Sequence, residues 1–106
     1  MAKMTILGIV DKVFPVKRQS ALFVHRFVRI NEQGTTNVFD VQFYGKKLDQ
    51  IEENGIEEGQ KVVVEVFVNG KFWKNEVDGK EGVFLKLNGQ TISGFTIGFE
   101  KPKIAE

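Results

Sequence analysis

Aromatic and basic side chains carry the chemistry most plainly open to this chain. Trp73, its one tryptophan, lies between Lys71-Phe72 and Lys74, with Lys80 a little further on; Tyr44, its one tyrosine, ends the run Val38-Phe39-Asp40-Val41-Gln42-Phe43-Tyr44. In that run Phe39, Val41 and Phe43 alternate with Asp40, Gln42 and Tyr44, the period-two pattern of a strand with one buried face, so Tyr44 is expected to point outwards. Flat rings offer surfaces on which bases stack, each stack being worth roughly 1–3 kcal/mol, and cations follow phosphates. Phe23 and Phe27 extend the set. With His25 and Arg29 they take alternate positions of an earlier strand whose other face, Leu22, Val24, Val28 and Ile30, is assigned to the core. Arg26 interrupts that apolar face. Arg26 and Arg29 therefore cannot both face outwards on a regular strand, and either a bulge intervenes or one of them lies elsewhere. Each residue also has an ordinary alternative: a rim anchor for Trp73, a cross-strand pair for Tyr44, solubility for Lys71, Lys74 and Lys80, and an oligomer interface or a twisted strand for Phe23 and Phe27.

Other chemistries find little in the residue types. There is no cysteine, which excludes a disulfide framework and a thiolate metal site. His25 is the one histidine, so neither a histidine metal cluster nor a pair of imidazoles for acid–base work can form. Gly45-Lys46 lacks the upstream glycine and following Ser/Thr of a phosphate loop, and Asp78-Gly79 lacks the spaced oxygen ligands of a calcium loop. Neither an enzyme nor a cofactor is expected.

The elements that must position these residues follow from the rest of the pattern. At 106 residues, with 42% hydrophobic and 27% charged side chains, the chain fits one globular domain over 1–106. No apolar run approaches the length that spans a bilayer, and MAKMTILG lacks a secretory pattern, so a cytoplasmic protein that does not engage membranes is expected. The net charge of +1 hides a polarity: residues 1–30 hold six basic side chains and one acid, and residues 31–60 hold two lysines and seven acids. Two long strands flank a turn at Pro15 to Ser20, with Gly8 marking a bend or bulge in the first. The polar loop Asn31 to Asn37 leads into the strand that ends at Tyr44. Lys46 to Asn54 reads as a short helix, with Leu48 and Ile51 on one stripe. Val62, Val64, Val66 and Val68 then share one face of a strand expected to end at Asn69-Gly70, a favoured tight-turn pair. Asp78-Gly79 forms a hairpin tip, Val83 to Ile92 a fifth strand with a turn or bulge at Asn88-Gly89, and Phe95, Ile97 and Phe99 an apolar alternation suited to a short strand or an interface. A strand, a short plugging helix, a strand and a lysine-flanked aromatic loop make the second half of an OB-type barrel.

The same residues resemble the bacterial and phage single-stranded DNA-binding proteins. The resemblance rests on Val41-Gln42-Phe43-Tyr44-Gly45-Lys46-Lys47-Leu48, and on Glu58-Gly59 through Val62, Val64, Glu65, Val68 and Trp73 to Asp78-Gly79. It covers roughly the central half of the chain. It implies an all-β fold with little helix, a five-stranded Greek-key OB barrel with a short helix between strands 3 and 4, and single-stranded DNA as partner. It also puts Tyr44 and Trp73 at stacking positions. Departures from the family pattern are Val38-Phe39 where a tryptophan usually opens the third strand, and Glu65-Val66 where Glu-Gly is usual. Family members commonly form dimers or tetramers, so a homo-oligomer is expected. The ending GFEKPKIAE has neither the flexible linker nor the acidic C-terminal tip that recruits partner enzymes in bacterial members, which suits a phage, plasmid or accessory version better than a housekeeping one, or else a chain trimmed to its core. Two other functions fit the same fold: a protein-interaction or primosome-type accessory subunit, in which the phenylalanines form an interface, and an RNA binder that contacts the ribose 2′-hydroxyl.

Overall fold

A computed structural model describes residues 2–94, and the apolar alternation Phe95 to Phe99 lies outside them. The strands are β1 (Ala2–Val13), β2 (Lys17–Arg18), β3 (Val24–Glu32), β4 (Val38–Tyr44), β5 (Lys61–Lys74) and β6 (Glu81–Gly94). Their order in the sheet is β1-β5-β6-β4-β3-β2, and β1 also pairs with β3, which closes the sheet into a barrel. This is the expected OB barrel of five long strands, and the two-residue β2 adds a short ribbon against His25 and Val24 in the segment read as a plain turn.

Closure depends on β1 serving two neighbours. Ala2 to Ile9 are in register with β5, and Gly8 to Val13 with β3. The overlap falls at Gly8 and Ile9; at Gly8 an added Cβ would lie 2.3 Å from the Asn31 carbonyl oxygen, so that position is open to glycine alone. The irregularity expected at Gly8 lies instead between Val10 and Lys12, where Asp11 is the extra residue.

The core is the set of inward faces that the alternation marks. Val62, Val64 and Val66 of β5 are fully buried with Ile6, Val28, Ile30, Val41, Phe43 and Ile92. Burying each such side chain stabilises the fold by roughly 1.5–3 kcal/mol before ordering costs. Leu22 does not join them. It is 96% exposed, because the Ser20 hydroxyl accepts from the Leu22 and Phe23 amides and bends the chain before β3 begins.

Between β4 and β5 a 3₁₀ turn (Gly45–Leu48) runs into the short helix α1 (Asp49–Glu53). Ile51 is buried and Leu48 packs beside it, on the expected stripe. Two amides tie this plug to β6: Gln50 Nε2 donates to the Gln90 carbonyl at 2.8 Å while its Oε1 accepts from the Ile92 amide at 3.2 Å, and Asn54 Nδ2 donates to the Ile92 carbonyl at 2.8 Å. They serve the stretch where the β5–β6 register shifts, from Glu65 opposite Thr91 to Val66 opposite Gly89, leaving Gln90 as the bulged residue. The bulge thus sits one residue beyond Asn88-Gly89.

Asn69-Gly70 does not end β5. The strand continues to Lys74, with Asn69 opposite Lys86 and Gly70 opposite Leu85. Reversal comes at Asn75 to Lys80, where the Asn75 amide donates to the Lys80 carbonyl at 2.7 Å and the Gly79 amide to the Asn75 carbonyl at 2.8 Å. Cross-strand pairing has overridden the local turn preference, and the result is a long two-stranded arm that projects past the barrel.

Candidate functional site

Strand register decides which side chains share the outer face. β3 and β4 pair His25 with Tyr44, Phe27 with Gln42 and Arg29 with Asp40, while Val28, Ile30, Val41 and Phe43 between them turn inwards. Phe23, just before β3, joins this outer set. Its ring centroid is 5.1 Å from that of His25 and 5.6 Å from that of Tyr44, and His25 lies edge-on to Phe27 at 5.8 Å. These spacings are those of packed aromatic pairs, so the rings form one platform. Tyr44 is exposed, Phe23 and Phe27 are half-buried, and His25 is buried beneath them.

The two arginines part company. Arg29 lies on the platform face, bidentate to Asp40 at 2.8 and 3.0 Å, with its guanidinium carbon 5.1 Å from the centre of the Phe14 ring. Lys12 Nζ is 5.3 Å from the same ring. The hydrogen bonds that Arg29 donates to Asp40, and then the Asp40 charge, hold the Arg29 pKa above the ordinary guanidinium value. Arg26 takes the opposite face: its Nε donates to the Phe14 carbonyl at 2.6 Å and its Nη1 is 3.8 Å from Glu52, so it braces the rim and is removed from the expected surface. No bulge in β3 is needed.

The platform continues onto the arm. β4 and β6 run parallel at one registered pair among the described residues, Gln42 with Asn88, and this brings the outer face of β6 beside that of β4. Towards the start of β4 the strands diverge around a groove lined by Phe27, Val38, Asp40, Phe84 and Lys86. On the arm itself Lys71 is opposite Phe84 and Trp73 opposite Gly82, all on the outer face. The Trp73 indole lies across Gly82, where an added Cβ would come within 3.1 Å of the ring, and it keeps 47% of its surface exposed. Of the three expected lysines, Lys71 shares the Trp73 face, Lys74 alternates to the other, and Lys80 sits in the turn.

Sequence reasoning passed over Lys12, Phe14, Phe84, Lys86 and Asn88. The alternation of Phe84, Lys86 and Asn88 was visible, but which face they occupy depends on β5 running past Asn69-Gly70. The arm's reverse face displays Phe72, Val83 and Leu85, each more than 60% exposed, as an extension of the core stripe. Among the described residues no helix is long and apolar enough to cross a membrane, and no three His, Asp or Glu side chains gather to hold a metal ion.

No protein-family model and no curated protein sequence matches this chain. Among solved structures it is similar to Rim1, the mitochondrial single-stranded DNA-binding protein of S. cerevisiae. One crystal form gives a TM-score of 0.71 at 18% identity, covering 90% of this chain and 96% of that one. A second form gives 0.66 at 19% identity, covering 90% and 94%. At such identity the likeness establishes the architecture, an OB barrel with a long β5–β6 arm.

Proposed function

We propose that this protein binds single-stranded DNA with little sequence preference, along the outer face of β3, β4 and the β5–β6 arm, and so holds exposed strands during replication, recombination or repair. The observation that carries the reading is one continuous face on which the rings of Tyr44, Phe23 and Phe27 lead across Gln42 and Asn88 to Phe84 and Trp73. Lys12 and Arg29 flank one end of it, Lys71 and Lys86 the other. A platform of rings bordered by cations is what base stacking and phosphate tracking require together. The likeness to Rim1 supports the reading. A homo-oligomer fits as well, because an isolated hairpin is marginally stable in water and the reverse face of the arm is apolar.

The test is titration with an unstructured oligothymidine, following Trp73 emission at two salt concentrations. Quenching that weakens steeply with added salt is expected, since neutralised phosphates release counterions. Unchanged emission, together with no shift of a labelled oligomer in anisotropy at low salt, sinks the proposal. Asp40→Asn is a more pointed check. It removes a negative charge from the binding face and releases the Arg29 guanidinium, so affinity is expected to rise several-fold at low salt, with the gain shrinking as salt is added. The pair is solvent-exposed, and folding stability is expected to change little. An affinity unchanged or lowered by Asp40→Asn places the phosphates elsewhere.

The exposed Phe72, Val83 and Leu85 favour a second reading, an assembly or accessory module in which the arm engages protein. That reading expects a stable oligomer by light scattering together with weak DNA binding.

A further inference from the structure

Across the middle of the outer face runs one row of side chains in register: Phe27 on β3, Gln42 on β4, Asn88 on β6 and Phe67 on β5. Two amides lie between two phenyl rings. On a surface otherwise built of rings and exposed charges, both amides are buried, Gln42 to 5% and Asn88 to 7% exposure. Asn88 Oδ1 has no hydrogen-bond partner among the described residues. Hiding an acceptor without a donor costs roughly 1–3 kcal/mol, a cost that a core valine or leucine at this position would avoid. The position is also where β4 and β6 diverge: residues just before it on both strands, Asp40 and Lys86 to Leu87, line the open groove.

We propose that this row reads one base of the bound strand. The inference rests on the single-strand reading above and departs from it at one nucleotide position, leaving the rest of the face tolerant of sequence. A base entering the groove stacks on Phe27 and brings its edge to the amides at the groove's inner end. Asn88 Oδ1 accepts a hydrogen from an exocyclic amino group, and the neighbouring Gln42 amide meets the adjoining ring nitrogen. The chemistry selects cytosine or adenine, which carry that amino group, over thymine, whose O4 would set acceptor against acceptor. Insertion moves the half-buried phenyl rings aside and gives the hidden acceptor its donor.

The experiment compares an oligothymidine with a set of the same length in which one thymidine at a time is replaced by deoxycytidine, in competition with a labelled oligothymidine at neutral pH and fixed salt. A pyrimidine-for-pyrimidine change keeps intrinsic stacking similar, so the comparison isolates the edge. The wild type is expected to bind at least one substituted oligomer about fivefold or more tightly than oligothymidine, the low end of one well-formed amide-to-base contact. In Asn88→Ser and in Gln42→Leu that ratio is expected to fall towards one. Equal wild-type affinities across the set, with oligothymidine still bound, overturn the inference and leave the single-strand reading standing. A preference that persists in both variants overturns the assignment to this row. Loss of binding to every oligomer removes the function and the inference together.

Discussion

Gly89→Ala is expected to destabilise the barrel by about 1–3 kcal/mol, the usual cost of forcing an extra methyl group into a packed core. An ideal Cβ on Gly89 would stand 2.2 Å from Phe43 Cε2 and 2.4 Å from Cζ, distances no side chain occupies. The ring has little room to retreat. Phe43 is fully buried among the core valines and isoleucines, and Gly89 is held next to the Gln90 bulge, which Gln50 grips by the Gln90 carbonyl and the Ile92 amide. For a domain of this size each kcal/mol lowers the melting temperature by roughly 4–8 °C, so the change is visible in a single urea or thermal curve. The companion variant Phe43→Leu shortens the side chain that an alanine would strike. On its own it leaves a void and loses stability. Combined with Gly89→Ala it is expected to cost less than the sum of the two, a coupling measured by the double-mutant cycle. A Gly89→Ala protein whose stability matches wild type shows that the ring does not lie against this backbone.

Gly89 also marks how far the fold was legible in the sequence. Periodicity of two in Phe39 to Phe43 and Val62 to Val68, and the three-residue spacing of Leu48 and Ile51, are local signals, and the elements they describe formed where the pattern placed them. Close approaches are not local. Gly8 and Gly89 show their purpose once Asn31 and Phe43 are brought against them from distant strands. Two of the segments that depart from expectation do so for opposite reasons. At Leu22 a local device, the Ser20 hydroxyl, prevails over an apolar alternation that reads as strand. At Asn69-Gly70 pairing with Lys86 and Leu85 prevails over a local turn signal.

The candidate site divides in the same way. Tyr44, Phe27 and Arg29 follow from parity along a strand, and parity also requires Arg26 to leave them, although its bonds to the Phe14 carbonyl and Glu52 were beyond reach. Phe84, Lys86 and Asn88 enter the face through the parallel contact of β4 with β6, a pairing that spacing along the chain does not encode.

Alanine substitutions across the face are expected to separate stacking from charge. Tyr44→Ala, Phe84→Ala and Trp73→Ala each remove a ring that is at least 44% exposed on the outer surface, and each is expected to weaken single-strand binding by about 1–3 kcal/mol, roughly fivefold to more than a hundredfold. Stacking carries no counterions, so the slope of log affinity against log salt should stay unchanged in these three. Lys71→Ala, Lys86→Ala and Arg29→Ala are expected to do the reverse: a milder weakening at low salt, and a slope shallower by about 1 for each phosphate that is no longer neutralised. Because Trp73 is the intrinsic reporter, the comparison uses anisotropy of a labelled oligothymidine. Two variants locate the face. Phe72→Ala alters the reverse side of the arm and Arg26→Ala the inner rim, and neither should move affinity or slope in protein that remains folded. If Phe72→Ala weakens binding as much as Trp73→Ala does, the strand wraps both sides of the arm and the single platform is the wrong geometry. If the ring variants leave affinity untouched while the basic variants lower it, binding is electrostatic alone, and the aromatic row belongs to a protein interface.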